Sequence, residues 1–352
     1  MRHTFMKKLT GVVSLFFWVF PFFLCGQSFE TPQRIQRLRN RIAAIARGIE
    51  GEVGVAAKHI ETGEEILING DTYFPMASVF KVPILVEVMA QIKEGRFALE
   101  DEISIQKTDQ HLGSGYLSGL DAPGIKLSIR NLINMMMMVS DNSAADILLT
   151  KVGPENVNAR LRSYGLEKIT VDRTCQHMIM DAIGMDFEKY KDLPLDAVSE
   201  GLRKDVEETP EVFEQARANF SKILKDQSSP RALNNLMEMI FTKTILDAES
   251  CDFIISVMLK CQTGERRLKG DLPRYIQVAH KTGTMEGTVN NAGIIYLPDD
   301  LGHVAITVFI KDMEGGTQKG EDVIAQIARF VFDYFCFTAE LGNGQEDRAS
   351  SG

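Results

Sequence analysis

Between Pro32 and Arg47 the apolar residues Ile35, Leu38, Ile42 and Ile45 recur at steps of three and four, which is one stripe of a helix. Pro32 suits the first helical turn and Thr31 the N-cap before it. From Glu52 to Gly70 the pattern changes to two short runs, GVAAKHI and EEILI, broken by the turn ETG, and this predicts a hairpin. From about Ser78 to Leu259 the spacing is mainly helical. Three strand-like runs follow, YIQVAHKTG, NNAGIIYLP and HVAITVFIKD, and then a helix from about Glu321 to Phe335. Residues 339–352 are polar and read as a disordered tail. Strands at both ends with a helical block between them predict an α/β fold of the sandwich-like α+β kind. One antiparallel sheet is built from both chain termini with flanking helices, and an all-helical lobe packs beside it. The sheet lobe is expected over about 27–75 and 260–338 and the helical lobe over about 76–259. The active site belongs between them, the usual place for a small ligand.

The first residues break this pattern. Arg2, Lys7 and Lys8 precede an apolar run from Leu9 to Leu24, followed by Cys-Gly-Gln-Ser. A charged segment, an apolar segment and a small-residue cleavage point after Gly26 predict a signal peptide over residues 1–26 and an exported protein, periplasmic or secreted. The run is short for a membrane anchor and Pro21 interrupts it. Lipidation of Cys25 is the lesser alternative, because the large residues Phe22 to Leu24 precede it.

Composition narrows the function. Apolar residues make up 44% of the chain and charged ones 25%, ordinary for a soluble globular protein. The net charge is −9, and cleavage after Gly26 would remove three positive charges. Such a chain lacks the basic footprint that nucleic acid demands. No later stretch is long and apolar enough to span a bilayer. Beyond Cys25 the cysteines are Cys175, Cys251, Cys261 and Cys336, too sparse for a disulfide scaffold. Cys251 and Cys261 are expected on one helix, where ten residues rise about 15 Å, too far for a bridge. The expected molecule is a monomer acting on a small molecule.

Three polar motifs interrupt the apolar pattern. In Ala77-Ser-Val-Phe-Lys-Val-Pro83, Ser78 and Lys81 are three apart, hence on one face, at the start of a helix. The free N–H groups of a helix start favour a developing anion at Ser78. A buried lysine has a lowered pKa and accepts a hydroxyl proton more readily. Ser104-Ile-Gln-Lys107 repeats the spacing in a charged stretch and reads as surface. Second, Ser140-Asp141-Asn142 follows the run NLINMMMMV, whose methionines read as core. This triplet serves either as the cap of the next helix or as a proton relay (Ser140) and a substrate-binding amide (Asn142). Third, Lys281-Thr282-Gly283-Thr284 ends a strand. Lys281 and Thr282 would face an anionic substrate and Gly283 would permit close backbone approach. The N–H groups of Ser78 and Thr284 would together form an oxyanion hole.

S-x-x-K, S-D-N and K-T-G in this order resemble the signature of class A β-lactamases and penicillin-binding proteins. The resemblance extends from about Pro32 to Phe335, through TGEEILINGDTYFPMASVFKVPIL, SSPRALNNLMEMI and GTVNNAGIIYLP. It implies the two-lobed fold above and a serine acyl-enzyme at Ser78. Lys81 and Ser140 would carry protons, while Asn142, Lys281 and Thr282 would bind a β-lactam. No metal and no cofactor is implied. The pattern breaks at one loop. The family reads roughly D-R-T-E-x-x-L-N, and its glutamate activates the deacylating water. This chain reads Asp172-Arg173-Thr174-Cys175-Gln176-His177-Met178-Ile179, with Cys175 for that glutamate and Ile179 for the asparagine. An acid-rich insertion over about 180–227 follows, in which Asp181, Glu207 or Glu208 would be the substitute base. Cys175 and His177 alone make a poor zinc motif. Gly113-Ser-Gly-Tyr116 is a loop that lacks the third glycine of a dinucleotide site, and Tyr116 is a candidate wall of the cleft. No G-x-S-x-G elbow occurs. The expected activity is opening of β-lactam amides with impaired deacylation. The alternatives are a D-Ala-D-Ala-type peptidase or an esterase using the same acyl-enzyme, or a penicillin-binding sensor without turnover.

Overall fold

A computed structural model of the chain describes residues 31–350, so the leader and Cys25 lie outside the described residues. Helix α1 (Thr31–Ala46) buries Leu38 and Ile42 and leads into the hairpin of β1 (Glu52–His59) and β2 (Glu65–Ile68). A short β3 (Phe74–Pro75) and a 3₁₀ turn, Ala77–Phe80, then enter α2 (Lys81–Lys93). This helix is apolar nearly all round and is buried from Lys81 to Gln91, as such a helix must be. A two-stranded ribbon, β4 (Glu102–Ile105) with β5 (Ile125–Ser128), precedes α3 (Ile129–Met138), α4 (Asn142–Val152) and α5 (Pro154–Ser163). Four helices follow: α6 (Cys175–Ala182), α7 (Phe187–Tyr190), α8 (Leu195–Glu208) and α9 (Pro210–Asn219). Strand β6 (Gln227–Ser228) pairs with β3, and α10 (Pro230–Phe241) and α11 (Ala248–Met258) close the helical part. The chain then returns through β7 (Val278–Met285), β8 (Thr288–Tyr296) and β9 (His303–Lys311) and ends in α12 (Thr317–Ser350).

The main sheet has the order β2-β1-β9-β8-β7 with every neighbouring pair antiparallel, so strands from both ends of the sequence form one α/β layer. Alternation along β9 sends Ile306 and Val308 to a core under α1 and α12, and Ala305 and Phe309 to a larger core shared with α2 and α10. The four methionines of α3 divide as helix geometry requires: Met136 and Met137 are fully buried, and Met135 and Met138 are only partly covered.

The last helix runs to Ser350, through the residues from 339 onward that were expected as a tail. One local expectation fails. Cys261 lies beyond the end of α11 and does not share the helix of Cys251, and both are free thiols.

The segment from Arg173 to Asp226 leaves and rejoins the helical part at one point. There Arg173 Nε donates to Asp226 Oδ2 (2.6 Å), and the N–H groups of Asp172 and Arg173 donate to Asp226 Oδ1 (2.6 and 3.1 Å). Both charged side chains are almost fully buried. Within the segment Met180, Met185, Tyr190, Val198 and Leu202 form a small core of their own. Among the described residues no helix is long and apolar enough to cross a membrane.

Candidate active site

Ser78 sits half-buried in the turn that opens α2, just after Ala77, whose φ of +45° is unusual for a residue with a side chain. It lines a cavity of about 270 Å³ together with Ser140, Asn142, Cys175, Thr282 and Thr284. Lys81 begins α2 one turn below and is fully buried. Its Nζ donates to Ser140 O (2.7 Å), Ser140 Oγ (3.3 Å) and Asn142 Oδ1 (2.7 Å). Burial lowers its pKa, and the nearby Cys175, Asp146 and Asp141 only partly oppose this. A lysine so placed is closer to the neutral amine that can accept a proton.

Ser140 occupies the corner between α3 and α4 with φ +60°. The corner is held by Asp141, which caps α4 through Ala144 N (2.9 Å) and also accepts from the N–H groups of Tyr116 (2.7 Å) and Leu117 (2.8 Å). From β7, the fully buried Lys281 donates to the same Ser140 Oγ (2.9 Å) and to Thr282 O (2.8 Å). Ser140 Oγ therefore lies between two lysine nitrogens. Burial, then the charge of Lys81, pushes the Lys281 pKa down to about 7. Two amines of lowered proton affinity joined by one hydroxyl form a short path for a proton.

Strand β7 packs against the Ser78 turn through Gly283, where a Cβ would collide with the Met76 carbonyl oxygen. Thr282 Oγ1 is 2.5 Å from Thr263 Oγ1. Arg267, buried beneath the strand, donates to Gly283 O (3.0 Å), Asn290 O (2.9 Å) and Thr284 Oγ1 (2.7 Å). Sequence reasoning missed Thr263 and Arg267, which stand in CQTGERRL, a stretch without periodicity or motif. With Thr282 and Thr284 they give the β7 side of the cavity a hydroxyl-rich wall with one guanidinium, itself paired with Glu321 (3.2 Å), suited to an anionic group.

The opposite wall carries Cys175, the first residue of α6. Its N–H donates to Asp146 Oδ1 (2.5 Å), Gln176 N donates to Asp146 Oδ2 (3.0 Å), and His111 Nδ1 pairs with Oδ2 (2.6 Å). Asp146 was also missed; the signal was an acid inside the apolar run SAADILL. Burial, then Asp146, pushes the Cys175 thiol well above its ordinary pKa, so it is neutral. Among the described residues no Asp or Glu lines the cavity. The three acids expected as substitutes are elsewhere. Asp181 is held by Arg173 Nη1 (2.6 Å), because the guanidinium at the segment's neck captures it. Glu207 and Glu208 are exposed at the end of α8, whose apolar face turns to the segment's own small core. Tyr116 is 67% exposed and not part of the cavity wall, since Asp141 fixes its backbone and leaves the ring outside. His177 stacks on Phe187 at 4.1 Å, and no cluster of three metal-ligating side chains occurs among the described residues.

A family model described as the beta-lactamase enzyme family matches residues 37–335. The chain belongs to this family. Among curated relatives, VEB-1 of Pseudomonas aeruginosa, a beta-lactamase, is 26% identical over 84% of this chain and 89% of its own length. PER-1 of the same organism, an extended-spectrum beta-lactamase, is 27% identical over 87% of this chain and 90% of its own. Among solved structures, a beta-lactamase from Chitinophaga pinensis is 30% identical with a TM-score of 0.69, covering 84% of this chain and 98% of that one. The TLA-3 extended-spectrum beta-lactamase is 25% identical with the same TM-score of 0.69, over 85% and 98%. This family member is a serine hydrolase of the class A β-lactamase type.

Proposed function

We propose that the protein is exported and opens β-lactam amide bonds through an acyl-enzyme at Ser78 that it releases slowly. One observation carries the reading. One cavity is lined by Ser78 and by Ser140, whose hydroxyl joins Lys81 to Lys281, yet among the described residues Cys175 and no carboxylate lines it. Ser78 Oγ attacks the lactam carbonyl carbon and its proton passes to Lys81. The backbone N–H groups of Ser78 and Thr284 hold the oxyanion, while Lys281, Thr282 and Asn142 hold the substrate. The ring nitrogen leaves with a proton delivered by Ser140, which Lys281 and Lys81 resupply. Acylation needs nothing more. Deacylation needs a base to take a proton from water, and a neutral thiol is a poor one. Its absence slows that step by roughly 10²–10⁴-fold.

The export reading rests on the leader segment and on the family. The same cavity supports a second reading, a penicillin sensor that holds the acyl group and does not turn over.

Intact-protein mass spectrometry after mixing with a penicillin tests the mechanism. Wild type is expected to gain one penicillin mass that persists for minutes or longer, and Ser78→Ala to gain none. No adduct and no turnover would end the acylation argument, and an adduct lost within a second would end the missing-base argument. With a chromogenic cephalosporin, slow steady turnover marks a hydrolase and a single burst marks a sensor.

A further inference from the structure

Four arginines of α1, Arg37, Arg39, Arg41 and Arg47, are charges that the candidate active site does not use. Residues 31–49 carry Arg34, Arg37, Arg39, Arg41 and Arg47 and no acidic residue, in a chain of net charge −9. Some exposed cations elsewhere find carboxylates, as Arg130 does with Glu100 and Lys243 with Asp252. Arg37, Arg39, Arg41 and Arg47 are exposed and, among the described residues, pair with no carboxylate. Arg39 reaches only Leu67 O (3.4 Å), and the Arg41 guanidinium lies 5.1 Å over the Phe330 ring.

Arg37 and Arg41 are one turn apart on the rim of a groove of about 780 Å³ between α1 and α12. Leu38 and Phe330 line it, with Tyr334 and Phe337, and Phe337 is 66% exposed. The acid within it, Asp333, is already paired with Arg329 (2.8 Å). Cations above aromatic and aliphatic side chains match the headgroup and the upper acyl region of a lipid leaflet.

We propose that the arginine face of α1, with its groove against α12, docks on an anionic phospholipid surface. Binding is peripheral and electrostatic. The acidic remainder of the molecule is repelled by the same lipid, which orients the molecule with α1 toward it. Each arginine near such a surface strengthens binding about fivefold, so removing two weakens it about 30-fold.

The test is flotation of the chain from residue 27 to 352, which contains every described element, with vesicles of phosphatidylglycerol and phosphatidylcholine. Expected are binding to the mixed vesicles at low salt, release at high salt, and no binding to phosphatidylcholine alone. Arg37→Gln with Arg41→Gln should weaken binding about 30-fold with an unchanged circular dichroism spectrum and Tm. Arg203→Gln with Lys204→Gln, which removes two exposed charges on α8, should leave it unchanged. Equal binding to both lipids, no binding to the anionic vesicles, or equal effects of the two double variants overturns the proposal. So does a solution dimer that the α1 variant dissociates, which would assign the face to a second copy of the chain.

Discussion

Replacing Cys175 by glutamate should turn a slow acyl-enzyme into a fast one. The thiol lines the cavity beside Lys81, and its backbone is fixed by Asp146, so a longer side chain there points at the same space. The added atoms need roughly 30 Å³, one water's share, and the cavity offers about 270 Å³. Burying the new charge is costly unless it is paired, and Lys81 is the available partner. A carboxylate next to Lys81 raises the lysine's proton affinity, so acylation should slow at neutral pH while deacylation speeds up. The gain in deacylation is the worth of a general base, about 10²–10⁴-fold, or roughly 3–5 kcal/mol off that barrier. Intact-mass decay of the penicillin adduct measures the second step alone. Cys175→Gln, of equal size but without a base, should leave the adduct as long-lived as in wild type. Two results would refute the reasoning: equal acceleration by Gln and Glu, or no acceleration by a Cys175→Glu protein whose Tm and adduct formation are intact.

Gly283→Ala should push β7 off the Ser78 turn, because the new methyl meets the Met76 carbonyl oxygen. Acylation should fall about 10²-fold with little change in Tm, and a rate within threefold of wild type contradicts this. Asp226→Asn removes one of the two carboxylates that the buried Arg173 holds at the neck of the 173–226 segment and leaves the partly exposed Asp181 as its counter-ion. The expected cost is about 1.5–3 kcal/mol, seen as a Tm lower by roughly 3–10 °C, and a Tm within 2 °C speaks against it. Lys281 is protonated below about pH 7 and neutral above it, so its grip on a carboxylate is present at low pH and lost as pH rises. KM for a carboxylate-bearing substrate should rise about tenfold per pH unit above 7, and Lys281→Arg should abolish that limb. A flat profile in wild type contradicts the assignment.

The sequence determined whatever depends on near neighbours. Periods of two and of three to four placed the hairpin, the three late strands and the helices between them. A spacing of three put Ser78 and Lys81 on one face, and an apolar run after them required that lysine to be buried. Cys175 was legible as a candidate site residue, and it lines the cavity. Only the tertiary structure decided what meets across the chain. Lys81 reaches Ser140 over 59 positions and Lys281 reaches it over 141, and no local period encodes such pairs. Arg267 was silent for the same reason and Asp146 showed only as an acid inside an apolar run, because packing alone delivers the backbone groups that each of them holds. Of the acids after Cys175, Asp181 went to Arg173 and Glu207 and Glu208 to solvent. Where a side chain of an inserted segment points is set by the small core the segment builds for itself, and a charge in sequence carries no direction until that core exists.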